Sequence, residues 1–584
     1  MNRQQADPGF VLNFFTEELR SDNVHHRLFA ASNISLVAAA MGPEHARTEL
    51  MQFLLSANQL DGEVQMSLAQ CLGSLVKYVG GPEYANVLLG PLKVLASAEE
   101  SVVRDKAIES MNIVCNSIPA AQADVSLMQT ARDLSTAEFF TSRSSACAFI
   151  VAIYEKVNEA NKSNLRQIYK SLVKDETPMV RRSALKNLPK LCEALPANII
   201  ISDIAKDILM SSANDDEDSV RLLLPPSLSI ISEKLNDQDR INLIIALSKN
   251  LVKDGSWRVR SAFAKEFPAI AKPFSVEVLT TELCPLLFRL LRDPEAETKT
   301  AACQTVSGIL PYIAKEQTFV AEKLIPELKP LTNDGAPQVR REVALHLMEL
   351  APIIGNHNTS LSIIPLFLQI LIDTDNEASV ALLNSLLTHV DEVDLASITP
   401  AILPTILEIA GDTHWRVKVV IIQLIPHFAK VLGVEEFGKQ VFQLVQTWLS
   451  DLFFSVRDEM TKQLGPLVTV LGQDWCTQTL TPVILALKLD KNYLIRQVTL
   501  LSVMQLKNSL QPAVFVKQFL PTVLYMATDR VANVRVLVSK ALLLFIGIGE
   551  QKVQQQLQTI LKQLSNDNDS DVKYFACMAL LKCQ

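Results

Sequence analysis

The chain has 584 residues, of which 48% are hydrophobic and only 18 are glycine. A single compact core stops growing near roughly 250–300 residues, so this length requires several domains or an open array of repeats. The formal charge of −8 comes from 63 acidic and 55 basic residues spread along the chain, which disfavours a nucleic-acid-binding protein because such a protein needs a basic face.

The first part of the chain predicts irregular helical pairs. The first pair is predicted from Val11 to about Leu19 and then on to Met41, with a polar turn at 21–23. Three more irregular pairs follow, up to a turn that contains Phe139. The terminal repeats of an array are expected to be irregular because their outer face meets water instead of a neighbour.

After these pairs, one marker recurs: an Asp, a branched apolar residue five positions later and an Arg or Lys at six. Clear copies begin at Asp175, Asp215, Asp254, Asp334, Asp412, Asp451, Asp490, Asp529 and Asp567, and weaker copies begin at Asp293 and Asp375. By subtraction, successive copies are 37 to 41 residues apart. This period is typical of a two-helix repeat.

Each repeat is predicted to consist of a bent first helix, a short turn and a second helix. A proline stands eight residues before the Asp in five repeats, at Pro285, Pro326, Pro404, Pro482 and Pro521. Proline removes a helical hydrogen bond, so its fixed place predicts a bend at the same point each time. Second helices carry one apolar stripe, such as Val180, Ala184, Leu185 and Leu188, and Pro225 with Pro226 should break the second helix of repeat 6.

Four irregular and eleven marked repeats predict an all-α fold, an α-α superhelix of about fifteen two-helix repeats shaped like a horseshoe. We expect an N-terminal tail at 1–8 and a single solenoid at 9–584. The turns that carry the Asp should lie along one edge, where short exposed turns from many repeats can bind a partner together.

The search for catalytic chemistry in the sequence is negative. The eight histidines show no HExxH spacing, the nine cysteines form no CxxC pair, and GxSxG and P-loop motifs are absent from the sequence. We therefore predict no enzyme, no catalytic residue, no metal and no cofactor. The N-terminus has no apolar signal core and we expect no membrane insertion, so the expected location is the cytoplasm, with the nucleus as a second location, and no obligate homo-oligomer is expected.

Several turns carry a more specific pattern than the marker alone. They are 80–84 (GGPEY), 102–107 (VVRDKA), 177–182 (TPMVRR), 256–260 (SWRVR), 415–417 (WRV), 492–494 (NYL), 531–535 (VANVR) and 571–576 (DVKYFA). The marker resembles that of HEAT repeats, and this ordered set resembles the scaffold (A) subunit of the type 2A serine/threonine protein phosphatase, from repeat 2 to repeat 15.

The resemblance implies a non-catalytic scaffold that binds two other proteins. It implies that repeats 11–15, at about 395–584, bind the phosphatase catalytic subunit through Trp415, Arg416, Phe454, Tyr493, Val531 and Asn533. It implies that repeats 1–8, at about 9–315, bind an interchangeable regulatory B-type subunit, with repeats 9 and 10 at about 316–394 in between. The residues implied for that second contact are Pro178, Met179, Arg182, Ser256, Trp257 and Arg258.

The same resemblance implies a ladder of polar contacts between neighbouring repeats. Its members would be Asp175, Arg181, Asp254, Arg260, Asp334, Arg340, Asp451, Arg457, Asp529 and Arg535. The chain departs from the family pattern at Phe139, His414 and Phe454, which puts individual contacts in doubt and indicates a divergent lineage. The acidic run 215–218 is interpreted as a solvated turn, and the alternative is contact with the regulatory subunit.

The position of the aromatic residues supports a binding role independently of the resemblance. Trp415, Phe454 and Tyr493 each stand three residues after the marker Asp, before the inward stripe begins, and exposed aromatic residues and Arg are typical anchors of protein interfaces. The alternative function is a HEAT-repeat transport receptor or adaptor that wraps protein cargo. A nucleic-acid-binding solenoid and an enzyme with an unrecognised site rank below it.

Overall fold

A computed structural model describes residues 7–412 and 414–582, apart from the side chain of Asp412. Most of the predicted tail at 1–8 therefore lies outside the described residues. Those residues form helices and turns and contain no strand, which confirms the all-α fold class. They divide into two compact units, Met1–Thr305 and Val306–Gln584.

In the first unit, eight helical pairs follow one another. The first helices of the pairs are Pro8–Leu19; Pro43–His45, Ala46–Leu50 and Met51–Leu54; Pro82–Leu88 and Leu89–Leu95; Ala120–Ser135; Glu159–Val173; Ala197–Ile199, Ile200–Leu209 and Met210–Ser212; Asp237–Arg240, Ile241–Ile245 and Ala246–Leu251; and Val276–Val278, Leu279–Leu283 and Cys284–Leu291. The second helices are Val24–Ser32 and Ile34–Met41; Gly62–Leu72 and Gly73–Lys77; Ser101–Ser117; Phe140–Ile153 and Tyr154–Lys156; Pro178–Ala194; Asp218–Arg221 and Pro225–Lys234; Trp257–Ala271; and Ala296–Ile313, which ends in the second unit. A short turn, Ala57–Gln59, links the helices of the second pair.

The second unit repeats the same plan. Its first helices are Gln317–Phe319, Val320–Leu324, Ile325–Leu328 and Lys329–Asn333; Ala351–Asn358, Thr359–Ile363 and Ile364–Leu371; Leu395–Asp412; Phe442–Leu449, preceded by the end of Trp415–Gln440; Gln473–Trp475, Cys476–Leu480, Thr481–Ala486 and Leu487–Leu489; Pro512–Met526; and Gln551–Leu564. Its second helices are Pro337–Leu347 and Met348–Leu350; Asn376–Thr388; Trp415–Gln440; Phe454–Leu471; Tyr493–Leu506; Ala532–Leu542 and Leu543–Phe545; and Ser570–Leu581.

Within each unit the second helices of successive repeats pack against one another and form the core. The predicted stripe Val180, Ala184, Leu185 and Leu188 is fully buried. Hydroxyl side chains bridge neighbouring second helices, as where the Ser183 hydroxyl donates to the Ser144 carbonyl at 2.7 Å. Each helix therefore buries its apolar face only because a neighbouring repeat covers it.

The proline of the first helix follows a π-helical turn in several repeats. Leu279–Leu283, Val320–Leu324 and Cys476–Leu480 are π-helical, and in each case the proline follows two residues after this segment ends. Ile200–Leu209 and Ile241–Ile245 are also π-helical without a proline at that place, so the proline does not by itself explain the π turn. Pro404 and Pro521 instead lie inside continuous α-helices.

Two further helices are interrupted. The second helix of repeat 6 breaks between Arg221 and Pro225, as predicted. Trp415–Gln440 is long and apolar enough to span a membrane by length and composition. It consists, however, of two helices joined at Gly433, where φ is 71°, and half of its most apolar window is buried inside the protein, as in a core helix.

Ion pairs join several of the turns to the turn of the next repeat. The Arg six residues after one marker Asp binds the Asp of the following repeat with Nε–Oδ2 distances of 2.5–2.7 Å. The pairs are Arg181–Asp215, Arg221–Asp254, Arg260–Asp293, Arg340–Asp373, Arg496–Asp529 and Arg535–Asp567. In these six pairs a second bond, from Nη2 to Oδ1, makes the contact bidentate.

Each Arg also holds its own turn. Its Nη1 donates to the carbonyl of the residue six positions earlier, as from Arg260 to Asp254 at 2.7 Å. The irregular repeats use the same bond, because Arg27, Arg104 and Arg143 donate to the carbonyls of Ser21, Ala98 and Ala137. The first repeats therefore keep the register of the base although they lack the Asp.

The ladder departs from the sequence-based pattern at two points. Asp375 is not the acid of repeat 10, because Arg340 binds Asp373, and the turn therefore has normal length. Arg457 donates to the Asp451 carbonyl and lies 5.9 Å from the Phe454 ring centroid, but within 414–582 the structure records no ion pair from it to Asp490. Lys418 takes the place of an Arg and binds Asp451 at 3.1 Å.

The ladder lowers the pKa of several of its carboxyl groups. Partial burial would raise the pKa of Asp254, but the hydrogen bonds from Arg221 and from the Ser256 N–H outweigh it, so this pKa is lowered from its ordinary value. The same balance lowers the pKa of Asp175, Asp373 and Asp529. Such groups stabilise the fold in their charged form.

Replacing a ladder acid should destabilise the protein. We expect Asp254→Asn to lower the free energy of unfolding by about 2 kcal/mol, because it leaves the largely buried Arg221 charge without its partner. Urea unfolding followed by circular dichroism measures this. The control is Asp216→Asn in the preceding turn, whose exposed side chain should contribute less than about 0.5 kcal/mol. Equal stabilities of the two variants would contradict the role of the ladder.

Stability should also depend on pH in one direction. Because the folded pKa values lie below the unfolded value of about 3.9, the stabilisation is complete above that value and is lost as the pH falls through the lowered folded values. We expect the urea concentration at the midpoint of unfolding to decrease as the pH falls below about 4. The decrease should be less steep for Asp254→Asn. An increase of the midpoint urea concentration on acidification would contradict this expected direction.

Candidate partner-binding surface

The marker Asp shapes the turn that precedes each second helix. Its Oδ1 accepts a hydrogen bond of 2.7–3.0 Å from the backbone N–H two residues later, at Thr177, Glu217, Ser256, Glu295, Ala336, Phe453, Asn492, Val531 and Asp569, and at Asp375 where Asp373 is the acid. This Asx-type bond fixes the residue before the helix. The next residue, three after the Asp, is then the first residue of the helix.

Aromatic residues occupy this first position in four repeats. Trp257, Trp415, Phe454 and Tyr493 each begin a second helix. Trp257 is 39% and Phe454 63% exposed, and Trp415 and Tyr493 are half-buried. The tryptophans inside first helices differ, since Trp448 and Trp475 are only 1% and 5% exposed. The turn position therefore keeps a large apolar ring at the surface.

The C-terminal turn cluster comprises Trp415, Arg416, Phe454, Tyr493, Val531 and Asn533, all in the second unit. At its first turn, His414 stacks on Trp415 with ring centroids 5.9 Å apart. The exposed Arg416 guanidinium lies 4.9 Å from the Trp415 ring centroid. The Trp415 ring thus has the His414 ring and the Arg416 guanidinium beside it, and these contacts restrict it before any partner binds.

The turn at Phe454 is more apolar than the family resemblance implied. Leu452 is 88% exposed and Phe453 is also exposed, next to Phe454. The sequence analysis singled out Phe454 alone. The run of three apolar residues at 452–454 in a turn could have indicated the larger apolar surface. Together they form an exposed apolar tip, which is the kind of feature that marks a protein interface.

The last two turns of the C-terminal cluster are more polar. Tyr493 follows Asn492, whose side chain caps the helix by accepting from the Leu494 N–H at 3.0 Å. Val531 is half-buried and Asn533 is exposed. The Asn533 carbonyl accepts from Gln497 of the preceding repeat at 3.2 Å, so this turn is also held from its neighbour.

The N-terminal turn cluster comprises Pro178, Met179, Arg182, Ser256, Trp257 and Arg258, all in the first unit. Met179, Arg182 and Arg258 are exposed, in contrast to Arg181, which the ladder holds. The Ser256 hydroxyl is committed inside the chain, because it donates to Asp218 at 2.7 Å. The free surface of this cluster therefore consists of Met179, Trp257 and two guanidinium groups.

The acidic run 215–218 is only partly the solvated turn that we expected. Asp215 binds Arg181 and Asp218 binds Ser256, so two of its four acids have structural partners. Asp216 and Glu217 are exposed. The marker already separated Asp215 from the run, but the sequence did not indicate that Asp218 accepts a hydrogen bond from Ser256.

Phe139, one of the departures from the family pattern, is 73% exposed at the start of Phe140–Ile153. It lines a cleft of about 960 Å³ in the first unit, together with Phe140, Val94, Glu99 and Glu100. The sequence did not single out the two glutamates, since their turn lacks the marker Asp.

Several of the described cysteine thiols are buried in the helical core. Burial raises the pKa of Cys115, Cys147, Cys192 and Cys284 to about 12, so these thiols are neutral at neutral pH. Among the described side chains no three His, Cys, Asp or Glu residues are grouped as ligands of a metal ion.

Comparison with solved structures shows the fold. The chain superposes with a TM-score of 0.61 on Kap95p from a complex with RanGDP, at 15% identity over 99% of this chain and 78% of that one. Importin beta follows with a TM-score of 0.56 at 15% identity, over 98% and 79%. At these identities the likeness concerns the helical-repeat architecture alone.

Comparison with known sequences is more specific. Residues 276–355 match a family model described as a PPP2R1A-like HEAT repeat. The chain is 38% identical over 280 residues to the regulatory A subunit of protein phosphatase PP2A from Schizosaccharomyces pombe, covering 48% of this chain and 47% of the relative. It is 35% identical over 355 residues to the beta isoform of the human 65 kDa regulatory A subunit of serine/threonine-protein phosphatase 2A, covering 60% and 59%, and 36% identical over 201 residues to the Dictyostelium discoideum protein phosphatase 2A scaffold subunit, covering 34% of each chain.

The chain thus spans about half the length of the curated relatives it matches. These relatives confirm the resemblance that the turn sequences predicted. Over about half of its length the chain is similar to the regulatory A subunits of protein phosphatase 2A, and its residues 276–355 match a HEAT repeat of that type.

Proposed function

We propose that this chain is a non-catalytic scaffold that assembles a serine/threonine protein phosphatase. The observation that carries the proposal is the aromatic residue at the first position of several second helices, exposed at Trp257 and Phe454 and half-buried at Trp415 and Tyr493. Exposed rings on rigid turns bury large areas at little entropic cost when a partner binds. The relatives are regulatory A subunits and a scaffold subunit of a phosphatase, and they supply the class of partner.

The C-terminal turn cluster is proposed to bind the catalytic subunit. Trp415 with Arg416, and Phe454 with Leu452 and Phe453, combine apolar area with a guanidinium, the composition expected of an interface centre. The Lys418–Asp451 ion pair and the bond from the Phe453 N–H to Asp451 hold the Phe454 turn in place, so little conformational entropy is lost there on binding. The exposed Asn533 adds a polar contact at the edge.

The N-terminal turn cluster is proposed to bind an interchangeable regulatory subunit of B type. Its exposed groups are one tryptophan, one methionine and two arginines that lie outside the ladder. Methionine adapts to different surfaces, and arginine pairs readily with carboxylates. This combination suits a surface that accepts alternative partners.

The proposed scaffold acts by proximity and carries no active site of its own. A chain that binds a phosphatase and a substrate-selecting subunit together raises their effective concentration and orients one toward the other. We place this activity in the cytoplasm, with the nucleus as a second location. Fluorescent tagging of the chain tests the location.

The central prediction concerns selective loss of one partner. We expect Trp415→Ala to weaken the affinity for the purified phosphatase catalytic subunit by at least about tenfold, since loss of an interface tryptophan commonly costs about 2 kcal/mol or more. Trp257→Ala should leave that affinity unchanged. Surface plasmon resonance with the immobilised chain measures both. Equal affinities of the two variants would refute the assignment of the clusters, and no binding of the catalytic subunit by the unchanged chain would favour the alternative function, a transport receptor or adaptor.

A stability control accompanies this experiment. We expect Phe454→Ala to change the free energy of unfolding by less than about 0.5 kcal/mol, because the ring is exposed. Val456→Ala, in the same turn but fully buried, should lose about 1–3 kcal/mol. Urea unfolding of both variants separates loss of binding from loss of fold.

A further inference from the structure

A basic groove lies in the first unit between the ends of two successive first helices, Ala246–Leu251 and Cys284–Leu291. It has a volume of about 490 Å³. Its cations are Lys249, Lys253, Arg289 and Arg292, and the buried residues Val252 and Leu286 form its apolar floor. An adjoining cleft of about 300 Å³ shares Lys253, Arg289 and Arg292, so the two form one continuous surface.

The carboxylates beside this basic groove already have cationic partners. Glu282 binds Lys249 at 2.7 Å. Asp254 and Asp293 are held by the ladder residues Arg221 and Arg260. Among the described residues neither Lys253 nor Arg289 makes an ion pair, and both side chains are exposed. The groove therefore has a positive charge that the chain itself does not neutralise.

An earlier pair of repeats has a carboxylate at a position where repeat 8 has a proline. Lys170 and Lys174 end the first helix of repeat 5, and Lys170 binds Asp207 of repeat 6 at 3.0 Å. Asp207 stands eight residues before the marker Asp of its repeat, whereas the same place in repeat 8 is occupied by Pro285. Cations near a helix C-terminus interact favourably with the helix dipole. That interaction explains cations on one helix, but it does not require cations from two helices to face the same groove.

We propose that the basic groove binds an acidic linear segment of a partner protein. Guanidinium groups bind phosphate and carboxylate oxygens in pairs, so Arg289 would hold an anionic group while Lys253 adds charge. The apolar floor accepts an adjacent apolar side chain of the same segment. Phosphorylated residues and clustered glutamates share this chemistry. A nucleic acid suits the groove less well, because it offers no aliphatic side chain to the floor and the whole chain has a charge of −8.

This inference goes beyond the proposed scaffold function and does not depend on it. The groove contains no residue of the N-terminal turn cluster, so a regulatory subunit on that cluster is not required for it. If the chain does not bind a phosphatase, the proposal for the basic groove still stands. If the groove does not bind an acidic peptide, the proposed scaffold function still stands.

Fluorescence anisotropy of labelled peptides on the full chain tests the basic groove. The probes are a short peptide with two phosphoserines beside a leucine, the same peptide with glutamates in their place, and its unphosphorylated form. We expect the phosphorylated peptide or the glutamate peptide to bind, the unphosphorylated form to bind at least about tenfold more weakly, and added salt to weaken binding. The stronger of the two acidic probes identifies the source of the anionic group.

Charge reversal supplies the decisive comparison. Lys253→Glu combined with Arg289→Glu should weaken binding of the acidic probe at least about tenfold. The control, Lys174→Glu, changes an exposed lysine that also directly precedes its marker Asp and should leave the affinity unchanged. Circular dichroism verifies that both variants fold. Equal affinities for all three proteins, an equal loss in the control, or tighter binding of a DNA oligonucleotide than of either acidic peptide would overturn the proposal.

Discussion

The structure depends on one repeated interaction, the bidentate ion pair between an Arg of one repeat and the Asp of the next. The Asp also accepts the N–H two residues later, and the Arg also donates to the carbonyl six residues earlier. One pair of side chains therefore closes two turns and joins two repeats. Because both groups are largely buried and fully hydrogen-bonded, removing either one leaves an unpaired charge, so a change at one rung affects its neighbours.

The ladder also explains why the turns present particular residues. The Asx-type bond fixes the position of the residue before the second helix. The next residue is then the first residue of that helix. An aromatic residue there, such as Trp257 or Phe454, cannot reach the core, whose stripe begins two residues later at Val259 or Val456. The exposed aromatic residues follow from the register of the ladder, and the proposed binding surfaces follow from those residues.

Much of the fold was predictable because the marker is local. The helical pairs, the buried stripe at Val180 and the break before Pro225 depend on residues close together in sequence. The sequence could not identify Asp373 as the acid of repeat 10, because Asp375 matches the marker better and only the partner Arg340 decides between them. The missing rung at Arg457 could not be predicted either, since its marker is complete.

The candidate surfaces were less predictable than the fold. The family resemblance named Trp415, Phe454 and Trp257, and the structure places each of them in an exposed turn. It could not show that Ser256 is bound to Asp218, or that Leu452 and Phe453 enlarge the apolar tip. The basic groove was not found from sequence at all, because Lys253 and Arg289 lie 36 positions apart by subtraction and only stacking of the repeats brings them together.

The central claim is that the ladder places the partner-binding residues. Its most direct test is the affinity of the phosphatase catalytic subunit for Asp529→Ala, compared with Asp175→Ala. Asp529 holds the turn of Val531 and Asn533, whereas Asp175 holds a turn of the N-terminal cluster. The account predicts that only Asp529→Ala weakens binding, by about tenfold, with the helical circular dichroism preserved. Wild-type affinity of a folded Asp529→Ala variant would contradict it.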